Sequence, residues 1–221
     1  ALEARWRELP FHPEPFAPAG GGSGKTVLAE LFTGSECPPC VAADLGFDGL
    51  LEAFGPKHLA VLEYHLPIPA PDPLMNPATK ARQDDYGVSS TPTPFFDGER
   101  LPPGGGPRSR AEDKYKEYRV EIERRAQAAP AVAIAARAVR AAGAVKLSAS
   151  FDKSVPGADR LAVLVEKEVR YRGSNGIVFH KMVVRALQTL DPSARTAEAA
   201  FDLAGLERAA TRHLEDYEKE R

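Results

Sequence analysis

Both cysteines of the 221-residue chain sit in one stretch, Cys37-Pro38-Pro39-Cys40. Residues 27–32 before it read as a strand, and Val41, Leu45, Leu50, Leu51 and Phe54 after it give a helical apolar face, ended by Gly55-Pro56. This order constrains the fold more than any other feature, because it sets a strand, a turn and a helix around one reactive pair. Thiols at a helix N-terminus become nucleophilic, since first-turn amides and the helix dipole favour thiolate. With no third cysteine, any internal disulfide joins Cys37 to Cys40, and so short a loop restrains little of the unfolded chain. The pair therefore reads as chemistry rather than as a staple. Three other readings stay open. A zinc site needs about four ligands, and no second CxxC or close His/Cys pair supplies the rest. A soft-metal site would add His65 or Met75. An inert disulfide in a redox-dead scaffold is the third.

The length is ample for a buried core. Acidic and basic residues nearly cancel, at a formal net charge of −2, and are interspersed, so nothing favours a nucleic-acid partner. No apolar run approaches the ~20 residues of a membrane span. The first residue is Ala1 and no signal-type segment precedes it, so the expectation is a removed leader or a trimmed chain. The cysteines do not fix the compartment, because CxxC pairs work in reducing and oxidising spaces alike.

Residues 1–26 read as an extended arm, kept open by Pro10, Pro13, Pro15 and Pro18 and pinned through Trp6, Leu9, Phe11 and Phe16, with a flexible Gly20–Gly24 stretch. Gly24-Lys25-Thr26 mimics the end of a phosphate-binding loop, but the position five before Gly24 is Ala19, and a strand rather than a helix follows. A second apolar strand covers 59–65, a four-proline loop 66–75, and Asn76-Pro77 opens a helix to Tyr86, stopped at Gly87. Phe95-Phe96 enters a hairpin turn at Asp97-Gly98, with a short return strand over 99–101. A Pro/Gly-rich connection over 102–107 leads to an amphipathic helix over 109–127. Its Arg110, Lys114 and Lys116 face solvent, and Tyr115, Tyr118, Val120 and Ile122 supply apolar surface.

In this order, with CPPC and a separate Thr91-Pro92-Thr93 segment, residues 27–128 resemble the thioredoxin-like superfamily. The run Phe32-Thr33-Gly34-Ser35-Glu36-Cys37 also resembles secreted bacterial thioredoxin-like proteins, some outer-membrane-associated. The resemblance implies an α/β fold, a mixed central sheet flanked by helices, and an extracytoplasmic setting. It implies a cis Pro92 opposite the cysteines, with Pro94 as the rival position. Thr91, with Pro38 and Pro39, would then contact the substrate, and partners would be protein or peptide thiols and disulfides, with no cofactor. Glu36 stands where such proteins usually have an aromatic. Their buried proton-accepting acid has Glu30 as its one candidate, but an offset of one residue turns it to the other face of a strand unless the turn absorbs it. An ordinary half-buried glutamate is the competing reading.

From Pro130 the pattern changes. Strands are expected over 131–140, 145–151, 161–169 and 177–187, with a turn at Arg172–Gly176 and a helix over 203–217. This suggests a small β-rich, sandwich-like C-terminal domain over 130–221. Similar secreted proteins end such a domain in a further strand, so the expectation here is a truncated chain or a sheet completed by a partner. No catalytic constellation stands out. His180 reads as packed or solvated, and Arg170, Arg172 and Arg185 as a solvated face rather than an anion site.

Cys37 is the expected attacking thiol, as the accessible first cysteine, and Cys40 resolves the mixed disulfide. Pro38 and Pro39 bring no amide to a Cys37 thiolate, and Glu36 adds a like charge. Both effects predict a reductase-like protein rather than a strong oxidant. The alternatives are a non-catalytic binding module with a passive disulfide and a copper or other soft-metal carrier.

Overall fold

The computed structural model describes residues 8–18 and 24–220. Trp6 and most of the Gly20–Gly24 stretch lie outside the described residues. In chain order the elements are β1 (Val27–Thr33), α1 (Cys40–Ala53), β2 (Leu59–His65), α2 (Pro77–Tyr86), β3 (Thr93–Phe96), β4 (Glu99–Arg100) and α3 (Ala111–Ala126). They continue with β5 (Ile134–Ala141), β6 (Ala144–Phe151), β7 (Arg160–Arg170), β8 (Phe179–Leu190), β9 (Thr196–Asp202) and α4 (Leu203–Glu220).

Six strands form a mixed sheet in the order β4-β3-β1-β2-β8-β7, and β5-β6-β9 form a second, antiparallel sheet. Alternation along β1 sets the two faces of the large sheet. Val27, Ala29 and Leu31 point to α1 and α3 and join Phe47, Leu50, Phe96, Tyr118 and Ile122 in one core. Phe32 points the other way and packs with Tyr64, Phe95 and Val88 on the α2 side. Each fully buried Phe or Leu stabilises the fold by about 1.5–3 kcal/mol relative to its exposed state. Of the arm, Phe11 stacks on Tyr115, and Phe16 stacks on Phe54 while its amide donates to Ala53 O.

Local signals explain the helix ends. Asn76 accepts from the Ala78 and Thr79 amides and closes a capping box with Thr79, while Gly87 takes the left-handed C-cap at φ 60°. Asp97 and Gly98 both have positive φ, as a tight hairpin turn requires. In α3, Val120 lies off the stripe made by Tyr115, Tyr118 and Ile122 and is 64% exposed, so it adds nothing to the core. Lys114 lies over the Tyr118 ring and pairs with Glu117 instead of standing in solvent. Lys25 and Thr26 bond to Asp97 and Lys57 O, so the phosphate-loop mimic is part of strand packing.

The strands of the β-rich part divide between the sheets. β8 runs parallel to β2 and β7 pairs beyond it, so both extend the large sheet, while the far ends of this hairpin cover β6 and β9 through Ala162, Leu164, Ala186, Ala199 and Phe201. A self-contained sandwich over 130–221 therefore does not describe the pairing. The reason is that β8 is long enough to serve both cores: its first half buries Val183 and Val184 beside β2, and its second half meets the small sheet. Asn76 Nδ2 donates to Val184 O at 2.7 Å, tying the cap of α2 to the added strand.

Candidate functional site

Cys37 and Cys40 form a disulfide at the N-terminus of α1. The helix begins at Cys40 with Pro39 as its N-cap, so Cys37 lies outside its first turn. Pro38 and Pro39 are exposed, but Cys37 is 1% exposed and Cys40 fully buried. The expectation of an open Cys37 is thus corrected: exposure does not rank the two sulfurs, and the packed surroundings do.

Thr91 and Pro92 face the disulfide. Thr91 Oγ1 lies 3.3 Å from Cys37 Sγ and 3.0 Å from Ile68 O, with a single proton for the two. The Thr91–Pro92 bond is cis, and so is Ile68–Pro69 in the proline loop. The Pro/Gly connection adds a second wall. Gly106 N donates to Pro39 O at 2.7 Å and Ala42 N donates to Gly106 O at 3.0 Å. A Cβ on Gly105 would meet Pro39 O at 1.9 Å, so only glycine allows this approach.

The turn before the cysteines is held from the C-terminal part of the chain. Asn175 N donates to Ser35 O and Asn175 Nδ2 to Gly34 O, both at 3.2 Å. A Cβ on Gly173 would meet Ser35 O at 2.4 Å. Tyr171 and Tyr217 hydroxyls donate to Glu36 Oε1 at 3.5 and 3.4 Å, Tyr217 coming from α4. Asp72 accepts from the Ser35 and Leu74 amides and faces His65 Nδ1 at 3.2 Å. Burial pushes the Asp72 carboxyl up, but His65 and the two amides outweigh it and hold it below the usual range. His180 is neither solvated nor remote: its ring meets His65 edge-on, and its Nε2–H donates to Tyr171 O at 3.1 Å. Burial, with His65 adding, pushes it down to about 3, so it is neutral.

Glu30 is not brought to the cysteines. It lies on the α2 face of β1, where it accepts from Arg82 Nε at 3.1 Å, Tyr64 at 3.0 Å and Tyr86 at 2.6 Å. The acids on the α1 face are others. Asp44, one turn along α1 from Cys40 and buried, accepts from Thr33 Oγ1 at 2.5 Å. Glu63 of β2 is buried with Oε1 unpartnered, and Asp48 follows one turn further along α1. Burial, reinforced by the neighbouring carboxylates, holds Asp44 and Glu63 well above the usual range and raises Asp48 to about 7 against the pull of Lys181. Two signals were available in the sequence: an acid four residues after Cys40 on the inward face, and a charge interrupting the apolar β2.

Among the described residues no group of three or more His, Cys, Asp and Glu gathers as a metal site. Met75 lines a cleft under α4, and His65 Nδ1 is committed to Asp72. Among the described residues no helix is long and apolar enough to cross a membrane.

No known family matches the chain, and no curated protein matches it. The structure is similar to HBP35 of Porphyromonas gingivalis, with a TM-score of 0.52 and 16% identity over 82% of this chain. That is a likeness of fold, and it spans 65% of that chain's length.

Proposed function

We propose that the chain is a thiol–disulfide oxidoreductase on a thioredoxin fold, with Cys37 and Cys40 as the working pair. The observation that carries the reading is the Thr91 hydroxyl 3.3 Å from Cys37 Sγ. Its proton can turn from Ile68 O to the sulfur once that sulfur is a thiolate, which is a stronger acceptor than a carbonyl. In the reducing direction the Cys37 thiolate attacks a protein or peptide disulfide, that bond breaks, and one partner thiolate leaves. Cys40 then gives its proton to the Asp44 carboxylate and attacks Cys37 Sγ. The Cys37–Cys40 bond forms, the mixed disulfide breaks, and the second partner thiolate leaves and takes a proton from water. The partner gains two electrons, and an external dithiol restores the pair.

The surroundings support the reducing direction. The Cys40 amide is committed to Cys37 O, the two prolines bring no amide, and the tyrosines keep the Glu36 carboxylate beside the pair. With the Thr91 hydroxyl as its one donor among the described residues, the thiolate is less stabilised than one in a first helical turn with free amides, and this leaves the disulfide harder to reduce.

Burial of both sulfurs favours a second reading, a binding module with a passive disulfide and the Thr91–Pro92 segment holding an extended chain. Reduction of insulin by dithiothreitol separates them. The oxidoreductase accelerates it, and Cys37→Ser and Cys40→Ser abolish the acceleration; a wild-type chain no faster than dithiothreitol alone is the binding module.

A further inference from the structure

A cleft of about 970 Å³ lies under α4, between that helix, the β7–β8 hairpin and the proline loop. Its walls are apolar, with Met75, Val145, Leu164, Val165, Leu206 and Ala210 facing inward. The helix above it is pinned at both ends. Leu203 N donates to Gly143 O at 2.9 Å, while His213 Nε2 donates to Asp72 O at 2.9 Å and Tyr217 reaches Glu36. Between these anchors α4 bridges the gap instead of collapsing into it. Of its apolar residues Tyr217 is buried and Leu206 packs against the small core, but Leu214 is 41% exposed, so the fold uses only part of the helix's apolar stripe. Apolar surface lining an open space of this size is the usual character of a small-molecule site.

The charges around the cleft choose the ligand class. Arg185 pairs with Glu166 at 2.9 Å, Asp216 with Lys219 at 2.9 Å, and Lys80 with Asp84. Arg140 and Arg212 also line the cleft, and neither has an ion-pair partner among the described residues. Against these two guanidiniums stands one unpaired acid, Glu207, which leaves an excess of positive charge beside an apolar slot. We propose that this cleft binds an amphipathic monoanion, an acyl chain ended by a carboxylate, with the chain under α4 and the head group at Arg140 and Arg212. The site is independent of the cysteine chemistry.

The test is a calorimetric titration of the oxidised chain with decanoate, laurate and myristate, each below its micellar concentration. Saturable one-to-one binding is expected, tightening roughly fourfold per added methylene until the slot is filled. Ala210→Trp, which fills the cleft from an exposed helix position, and the double variant Arg140→Glu/Arg212→Glu are each expected to weaken myristate at least tenfold with an unchanged circular dichroism spectrum. Tetradecanol, with the same chain and no charge, should bind at least tenfold more weakly. Absence of saturable binding to wild type overturns the proposal. So does equal binding of acid and alcohol, or a myristate affinity untouched by both variants. A concentration-dependent dimer that excludes myristate would show that a second copy fills the cleft, and would also overturn it.

Discussion

The two faces of the large sheet each bury acid, and they treat it differently. On the α2 face Glu30 is enclosed by Arg82, Tyr64 and Tyr86, and every approach to its carboxylate is a donor. On the α1 face Asp44 and Glu63 are as deeply buried, yet among the described residues they have one hydroxyl between them and no ion pair. A paired buried charge holds its partners in place, because removing either one leaves the other desolvated and uncompensated. An unpaired one is a stronger base than an ordinary carboxylate, and such a group one helical turn from a thiol suits proton transfer. The face with the uncompensated acids is also the face with the cysteines.

The largest effect on the α2 face is expected at Arg82. Replacing it by Ala strands Glu30 as a buried charge, and urea unfolding should show a loss of about 3–5 kcal/mol, with the reactivity of the cysteines little changed. Asp44→Asn should do the reverse. Stability should hold, while the rate at which Cys40 resolves a mixed disulfide at neutral pH falls about a hundredfold, the scale of a lost proton acceptor. Stopped-flow with a chromogenic disulfide reads that step, and an unchanged rate would detach Asp44 from the chemistry.

The acids on the α1 face also predict a pH dependence. Their folded-state values lie above the unfolded ones, so the folded state holds protons that the unfolded state releases. Stability contributed this way is fully present below about pH 4 and is lost as pH rises, for Asp48 through about 7. Denaturation midpoints should therefore decline from acid toward neutral pH, and Glu63→Gln should flatten that slope. The smallest effect is expected at Glu36. Glu36→Gln removes a negative charge beside Cys37, which eases thiolate formation and should raise the reduction potential by about 20 mV, or ~1 kcal/mol. A fall in potential would mean that the carboxylate acts through its tyrosine bonds instead.

Local chemistry was legible in the sequence and distant pairing was not. The CPPC between a strand and a helix, the Asn76 cap and the Asp97-Gly98 turn each carry their cause within a few residues. The same holds for Glu30, whose strand register already turned it from the cysteines. Nothing local announces that β8 will lie parallel to β2, since a parallel pair needs no turn between its strands. Ala-rich β9 carries little strand propensity and went unread. The support of the turn before the cysteines by Tyr171, Asn175, His180 and Tyr217 comes from that same distant part of the chain, so His180 reads as an ordinary strand residue from sequence alone. Asp44 is not legible for another reason: it lies between Val41 and Leu45 at the edge of an apolar helical stripe, and periodicity alone does not tell a buried acid there from a solvated one.

We propose above all that Cys37 and Cys40 are a working, reducing dithiol. Its most direct test is the equilibrium reduction potential of the pair in glutathione and dithiothreitol buffers, read by thiol trapping. A reversible couple near the ~−270 mV of thioredoxin is expected. A couple near ~−120 mV would contradict the direction, and a disulfide that cannot be reduced without unfolding the chain would contradict the chemistry itself.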